Sequence, residues 1–244
     1  MKENILIEFK TRIHPSWNQI LETALSQMDQ TYLKELLASD DWLPGSQQIF
    51  NAFRLPLHKT RYILFGESPY PRAHSANGYA FWDAHVETIW SPTGLSATVN
   101  RATSLRNFIK MLLIAEGLLS PQNTSQEAIA IINKEKLVQT ANDFFTNFLN
   151  HGILLLNASL VLSKKPVQFD AKQWRPFMNA LLHSLVQQKK DIQLILFGNI
   201  AKAINQLPSA NYFKQFHSEH PYNISFITNP NVIEFFKGFK LLRK

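Results

Sequence analysis

Three short stretches hold residues able to act on a ligand. In "RYILFGESPYPR", residues 61–72, an apolar run stops at a glycine and opens into a loop of Glu67, Ser68, Pro69, Tyr70 and Pro71. "ILLLN", residues 153–157, ends on Asn157, and "IQLILFG", residues 192–198, ends on Gly198 with Asn199 beyond it. Apolar runs bounded in this way read as buried strands, and open α/β sheets bind ligands outside the carboxyl ends of their strands. The first loop poses a chemical question. Ser68 is a hydroxyl that cannot supply an anion near neutral pH, so acid–base work there would fall to Glu67. Glu67 reads equally well as a charge that caps a loop or helix N-terminus. Asn157 carries an amide able to pair with both an acceptor and a donor; taken alone, it reads first as a polar turn residue.

The elements that must position these loops follow from hydrophobic spacing. Residues 16–38 place Ile20, Leu21, Ala24, Leu25, Met28, Tyr32 and Leu36 near one helical face, and a turn follows at "DDWLPGS". Residues 75–99 carry a short aromatic run, "GYAFW", within a loop-rich region. "SLRNFIKMLLIAEGLL" puts Leu105, Phe108, Ile109, Leu112 and Leu113 on a helical face, with Ser104 as the N-cap. After "SPQNTSQ" a long helical region is predicted up to His151-Gly152. "WRPFMNALLHSLVQQKK" and "NIAKAINQL" complete the helices. Helices and apolar strands in this order predict an α/β sandwich with a largely parallel sheet. Neither repeat nor linker is evident, so residues 1–244 are expected to form a single domain.

Composition narrows the function classes. Hydrophobic residues make up 45% and charged residues 18%, enough apolar material for a sizeable core. Lys and Arg number 25 against 18 Asp and Glu, and the net charge of +7 favours an anionic partner such as nucleic acid or an anionic membrane surface. There is no cysteine, which excludes a thiol nucleophile, a disulfide and a cysteine-held iron–sulfur cluster. "MKENILIEFKTR" does not read as a signal peptide and no stretch approaches the length of a membrane span, so a cytoplasmic chain is expected. No Walker loop, dinucleotide-binding glycine motif or metal cluster is present. Neither a metal nor a cofactor is expected.

Read together, five stretches resemble the uracil-DNA glycosylases. "IFNAFRLPLHKTRYILFGESPYP" (49–71) is similar to that family's run of IF-AF, PL, a strand and GQDPYH. "GYAF" (78–81) resembles its GLAF, and "SLRNFIK" (104–110) its SLKNIYK. "HGILLLNASLVL" (151–162) resembles QGVLLLNTVLTV, and "ILFGNIAK" (195–202) resembles LLWGSHAQK. Their order is kept along the chain. The resemblance implies a three-layer sandwich with a central, largely parallel four-stranded sheet flanked by helices. It also implies hydrolysis of the N-glycosidic bond of a flipped uracil, or a related damaged base, in base-excision repair. The implied partner is uracil-containing DNA, met by a monomer with no membrane attachment.

By the same resemblance, Asn157 matches the base-reading asparagine, Phe81 the ring that stacks on the base, and Tyr70 the side chain that crowds C5 and rejects thymine's methyl. Taken alone, Phe81 is an ordinary core aromatic and Tyr70 a loop residue. The departures fall on the catalytic atoms. The water-positioning aspartate of GQDPYH becomes Ser68, the glutamine before it Glu67, and the final histidine Pro71. Other branches of the superfamily carry a GEAPG-like motif with an acid at the position of Glu67, and a carboxylate on a longer stem can reach the same place.

The family's HPSPLS loop stabilises the departing uracil anion through its histidine. Here "EHPYN" offers His220-Pro221, while "TNPN" offers Asn229-Pro230 directly after a predicted strand and lacks the histidine. The wedge that fills the emptied stack is Ile224 or Val232 accordingly. Phosphate contacts fall to backbone around Gly198 and Asn199, with Lys202 and Arg72 nearby, although both cations read equally as solvated surface charge. An active glycosylase of weak or altered activity is the expected function. The alternatives are an inactive glycosylase fold that binds nucleic acid or a protein, and an unrelated α/β enzyme of nucleotide metabolism.

Overall fold

A computed structural model describes residues 13–188 and 191–244; the N-terminal stretch 1–12, on which the signal-peptide expectation rests, lies outside the described residues. The central sheet follows from runs that are apolar on both faces. Strands β1 (Tyr62–Gly66), β4 (Ile153–Asn157), β5 (Gln193–Phe197) and β6 (Lys214–Ser218) form one sheet in the order β4-β1-β5-β6. β1 pairs in parallel with β4 on one side and β5 on the other. Ile63, Leu64, Phe65 and the leucines 154–156 are buried, as are residues 194–197, the pattern of parallel strands covered on both faces. β6, "KQFHS", is polar and partly exposed, as befits an edge strand. The α/β class and the helix-flanked, four-stranded, largely parallel sheet are as expected.

The chain divides into two compact units, one from residues up to Asp83 with Gly152–Phe216, the other from Ala84–His151 with His217–Lys244. In the first, α1 (Asn18–Ser26) and α2 (Gln30–Leu37) replace the single helix predicted over 16–38. The physical reason is Asp29, whose Oδ1 accepts from the backbone N–H of Thr31 (2.8 Å) and Tyr32 (3.3 Å) and so starts a new helix. All seven residues of the predicted face except Leu36 lie well inside, and Leu36 sits at its margin. α7 (Val167–Gln188) begins seven residues before the predicted start and lies against α1. Its early turn is tied down by Asp170, whose Oδ2 accepts from Ser163 N and Oγ, each at 2.8 Å. α8 (Ile200–Asn205) follows β5.

The second unit holds the short hairpin β2 (Trp90–Ser91) and β3 (Gly94–Leu95), then α3 (Ala97–Arg101), α4 (Thr103–Ala115), α5 (Gln126–Ala130), α6 (Ala141–Asn150) and α9 (Pro230–Lys237). Ser104 is not a cap. α4 starts one residue earlier, directly behind α3, which Ser96 caps through Val99 N at 3.3 Å. The long helix expected before His151 is two short ones. The Lys134 ammonium donates to the carbonyls of Ala130 and Ile132, both at 3.0 Å, and Thr140 opens α6 by accepting from Asp143 N at 3.1 Å. No strand precedes Asn229. Residues Ile224–Thr228 form a 3₁₀ turn, and Asn229 caps α9.

Candidate active site

The carboxyl ends of β1 and β4 meet rung for rung, with Gly66 opposite Asn157 in the register. Glycine is required there by closeness. A Cβ on Gly66 would stand 2.5 Å from Asn157 Oδ1 and 2.8 Å from Ala80 Cβ. The strand ends are clipped together, because Ala158 N donates to Gly66 O and Ser159 N to Glu67 O, both at 2.9 Å. The 78–82 segment reaches across β4 through Ala80 N, which donates to Leu155 O at 3.2 Å. Asn157 is 3% exposed, and its amide makes no hydrogen bond to another described residue. Its amide atoms are not among the buried ones that lack a partner, so they keep access to solvent.

The other two residues expected to bind a base are Phe81 and Tyr70. Phe81 holds a φ of +63°, a left-handed conformation that is rare for a bulky aromatic and costs of order 1–3 kcal/mol. Its ring meets Phe197 edge to face at 6.2 Å. Two ties hold this backbone. The Tyr70 hydroxyl donates to Phe81 O at 3.2 Å, and Arg72 Nη2 lies 3.1 Å from the buried Asp83 carboxylate. Burial, reinforced by the Asp83 charge, pushes the Tyr70 phenol well above its ordinary range, so it remains a neutral donor. Glu67 is exposed on the loop lip and Ser68 half-buried beside it. Gly198 turns the chain with φ +65° and leads through exposed Asn199 into α8, where exposed Lys202 lies.

In the second unit, β6 ends at Ser218 and His220 follows two residues later. The His220 Nδ1 accepts from Tyr222 N at 3.1 Å, which in the neutral ring leaves the proton on Nε2. Such a ring can donate to an anion. Beyond it Tyr222 is 67% and Ile224 73% exposed, whereas Val232 is buried within α9. Asn229 spends its Oδ1 on the N–H groups of Asn231 (3.0 Å) and Val232 (3.3 Å). Of the two expected wedge residues, Ile224 after His220 is presented to solvent and Val232 is not. The structure groups Glu67, Ser68, Tyr70, Phe81, Asn157, Gly198 and Asn199 within the first unit, and His220 belongs to the second.

Sequence reasoning did not anticipate that Arg72 pairs with Asp83. Nor did it single out Asn107, which is 1% exposed; beside Arg106 in "SLRNF" nothing in the letters separates a buried amide from an exposed polar pair. Among the described residues no group of three or more His, Cys, Asp or Glu could hold a metal ion, and no helix is long and apolar enough to cross a membrane.

Comparison with known proteins agrees with this fold. No family model matches the chain. The uracil-DNA glycosylase of Amoebophilus asiaticus is 27% identical over 221 residues, covering 87% of this chain and 85% of that protein. The uracil-DNA glycosylase of Campylobacter concisus is 25% identical over 217 residues, covering 86% and 80%. Among solved structures, the wild-type UNG of Nitratifractor salsuginis is 42% identical and has a TM-score of 0.93, covering 98% of this chain and 96% of that one. A mimivirus UNG variant solved in complex with UGI is 15% identical with a TM-score of 0.59 and shares the fold.

Proposed function

Because the chain belongs to the uracil-DNA glycosylase superfamily, we propose that it hydrolyses the N-glycosidic bond of uracil flipped out of DNA, in base-excision repair, with Asn157 reading the base. The observation that supports this assignment of the pocket is Asn157, 3% exposed at the carboxyl end of β4 with its amide oxygen against Gly66. Its oxygen and nitrogen match a donor and an acceptor on the uracil edge. Phe81 stacks on the base face, and Tyr70 closes the space beside C5. Glu67 accepts a proton from the water that attacks C1′ while the C1′–N1 bond breaks and its electron pair leaves with the base. Ser68 lies beside that water. His220 donates from Nε2 to the departing anion, and Ile224 fills the emptied stack.

Gly198, Asn199 and Lys202 meet the phosphates. Arg72 is assigned chiefly to holding Asp83. This reading takes the chain as a monomer with a single glycosylase domain, in the cytoplasm. It is tested by incubating the protein with uracil-containing single- and double-stranded oligonucleotides, followed by alkaline cleavage at abasic sites. Strand scission at uracil and none at thymine is expected; no scission above the protein-free control on either substrate refutes it.

Two further results are expected. DNA affinity should fall steeply as salt rises, because cationic contacts to phosphate release counterions on binding; an affinity that does not change between low and physiological salt contradicts an electrostatic footing. Asn157→Ala should leave the thermal midpoint nearly unchanged and lose about 1–3 kcal/mol of discrimination between uracil and other bases. Undiminished preference for uracil over thymine in that variant would make Asn157 a structural residue.

A further inference from the structure

Asn107 lies on α4 among Leu105, Phe108, Ile109 and Met111 and is 1% exposed. A buried amide needs partners, and this one finds them on the loop that follows β6. Its Nδ2 donates to Pro221 O at 2.8 Å, with Tyr222 O at 3.3 Å and Asn223 O at 3.4 Å around it. An NH2 group has two hydrogens, so the short bond to Pro221 is the directed one and the remaining hydrogen is shared.

The Pro221 carbonyl and the Tyr222 N–H belong to one planar peptide unit, whose two polar groups point in opposite directions when it is trans. The carbonyl end is fixed by Asn107. The N–H end is aimed at His220 Nδ1, 3.1 Å away. Hydrogen bonds in such a chain polarise one another, so a carbonyl held by a donor makes its own N–H a better donor. We propose that Asn107 is a positioning residue that sets the tautomer and orientation of the His220 ring through the Pro221–Tyr222 peptide. The Nδ1 acceptor is thereby occupied and the proton is kept on Nε2. The inference rests on the reading that His220 serves the departing base only for its effect on rate; the ring state itself can be seen without substrate.

The residue before His220 is secured independently. Glu219 Oε2 accepts from Ser218 Oγ at 2.8 Å and Asn229 Nδ2 at 2.7 Å, and Asn229 in turn caps α9. Removing the Asn107 amide therefore releases the carbonyls of Pro221, Tyr222 and Asn223 while Glu219 stays held.

The test compares wild type, Asn107→Ala, His220→Ala and the double variant. Ring-nitrogen NMR of the ligand-free protein should show His220 protonated at Nε2 alone in wild type and in mixed tautomers in Asn107→Ala. On uracil-containing oligonucleotide, kcat should fall about tenfold in Asn107→Ala with KM nearly unchanged, a change of about 1.4 kcal/mol. The double variant should be no slower than His220→Ala alone, because Asn107 acts through the ring. Unchanged ring nitrogens in Asn107→Ala, or rate losses that multiply in the double variant, overturn the proposal. If His220→Ala turns over like wild type while the ring signals respond to Asn107, the role of His220 in catalysis fails and the positioning stands. Should Asn107→Ala not fold, Asn107→Asp keeps the shape and removes the donor, and the same ring signals decide.

Discussion

Glu67→Gln is expected to slow uracil release by roughly 10²–10⁴-fold, the contribution typical of a positioned acid–base group. The amide keeps the length of the side chain and loses the negative charge that draws a proton from water. No other carboxylate lies in residues 66–72, and the nearby Asp83 is buried against Arg72. Ser68→Asp, made beside it, should leave the rate flat or lower it. Two adjacent carboxylates repel, which raises the pKa of one and removes the anion that the water needs. The measurement is single-turnover uracil release at several pH values for wild type and both variants. A Ser68→Asp variant that gains activity while Glu67→Gln keeps the wild-type rate would place the base at position 68 and leave Glu67 a loop charge.

Gly66→Ala should be nearly as damaging, for a steric reason. The new methyl would lie 2.5 Å from Asn157 Oδ1 and 2.8 Å from Ala80 Cβ, both inside normal contact distance. Ala80 cannot retreat freely, because its N–H is bonded to Leu155 in the sheet. The displacement therefore falls on the Asn157 amide, and a shift of about 1 Å at a positioning group can cost 10²-fold in rate. Overpacking should also lower stability by about 1–3 kcal/mol. Gly238→Ala provides the contrast, since its Cβ would meet nothing within 4 Å and its φ of −74° suits alanine. Measured together, kcat/KM and the denaturation midpoint should collapse for the first variant and hold for the second. Full activity in Gly66→Ala would mean that Asn157 need not stand where it does.

The three central strands were legible because burial on both faces leaves an unbroken apolar run, and "ILLLN" has the bounds predicted for it; β6, polar and partly exposed, offered no such run and was not read as a strand. Helix ends were less so, since a single cap decides them. Asp29 interrupts a face whose apolar spacing runs on past it, and the Lys134 and Thr140 interactions divide what composition alone would join. In the site, residues at strand ends could be picked out by type and place. Pairings between distant segments could not, because Arg72 with Asp83 and Asn107 with Pro221 depend on how the chain returns. Asn229 looked like a loop residue because the letters that favour turns are also those that favour helix starts. Only its bonds to Asn231 and Val232 separate the two.

The register that sets Gly66 against Asn157 also bears on how such a protein can change over generations. A residue inserted into or deleted from either strand would turn the amide to the opposite face, so that length is closed to variation. The loop of Glu67 and Ser68 begins where the ladder stops and is under no such constraint. On the proposed assignment, recognition is thus inherited with the sheet, while the reacting group sits where substitutions leave the ladder intact. A lineage can exchange one acid for another at the loop without ever losing its hold on the base.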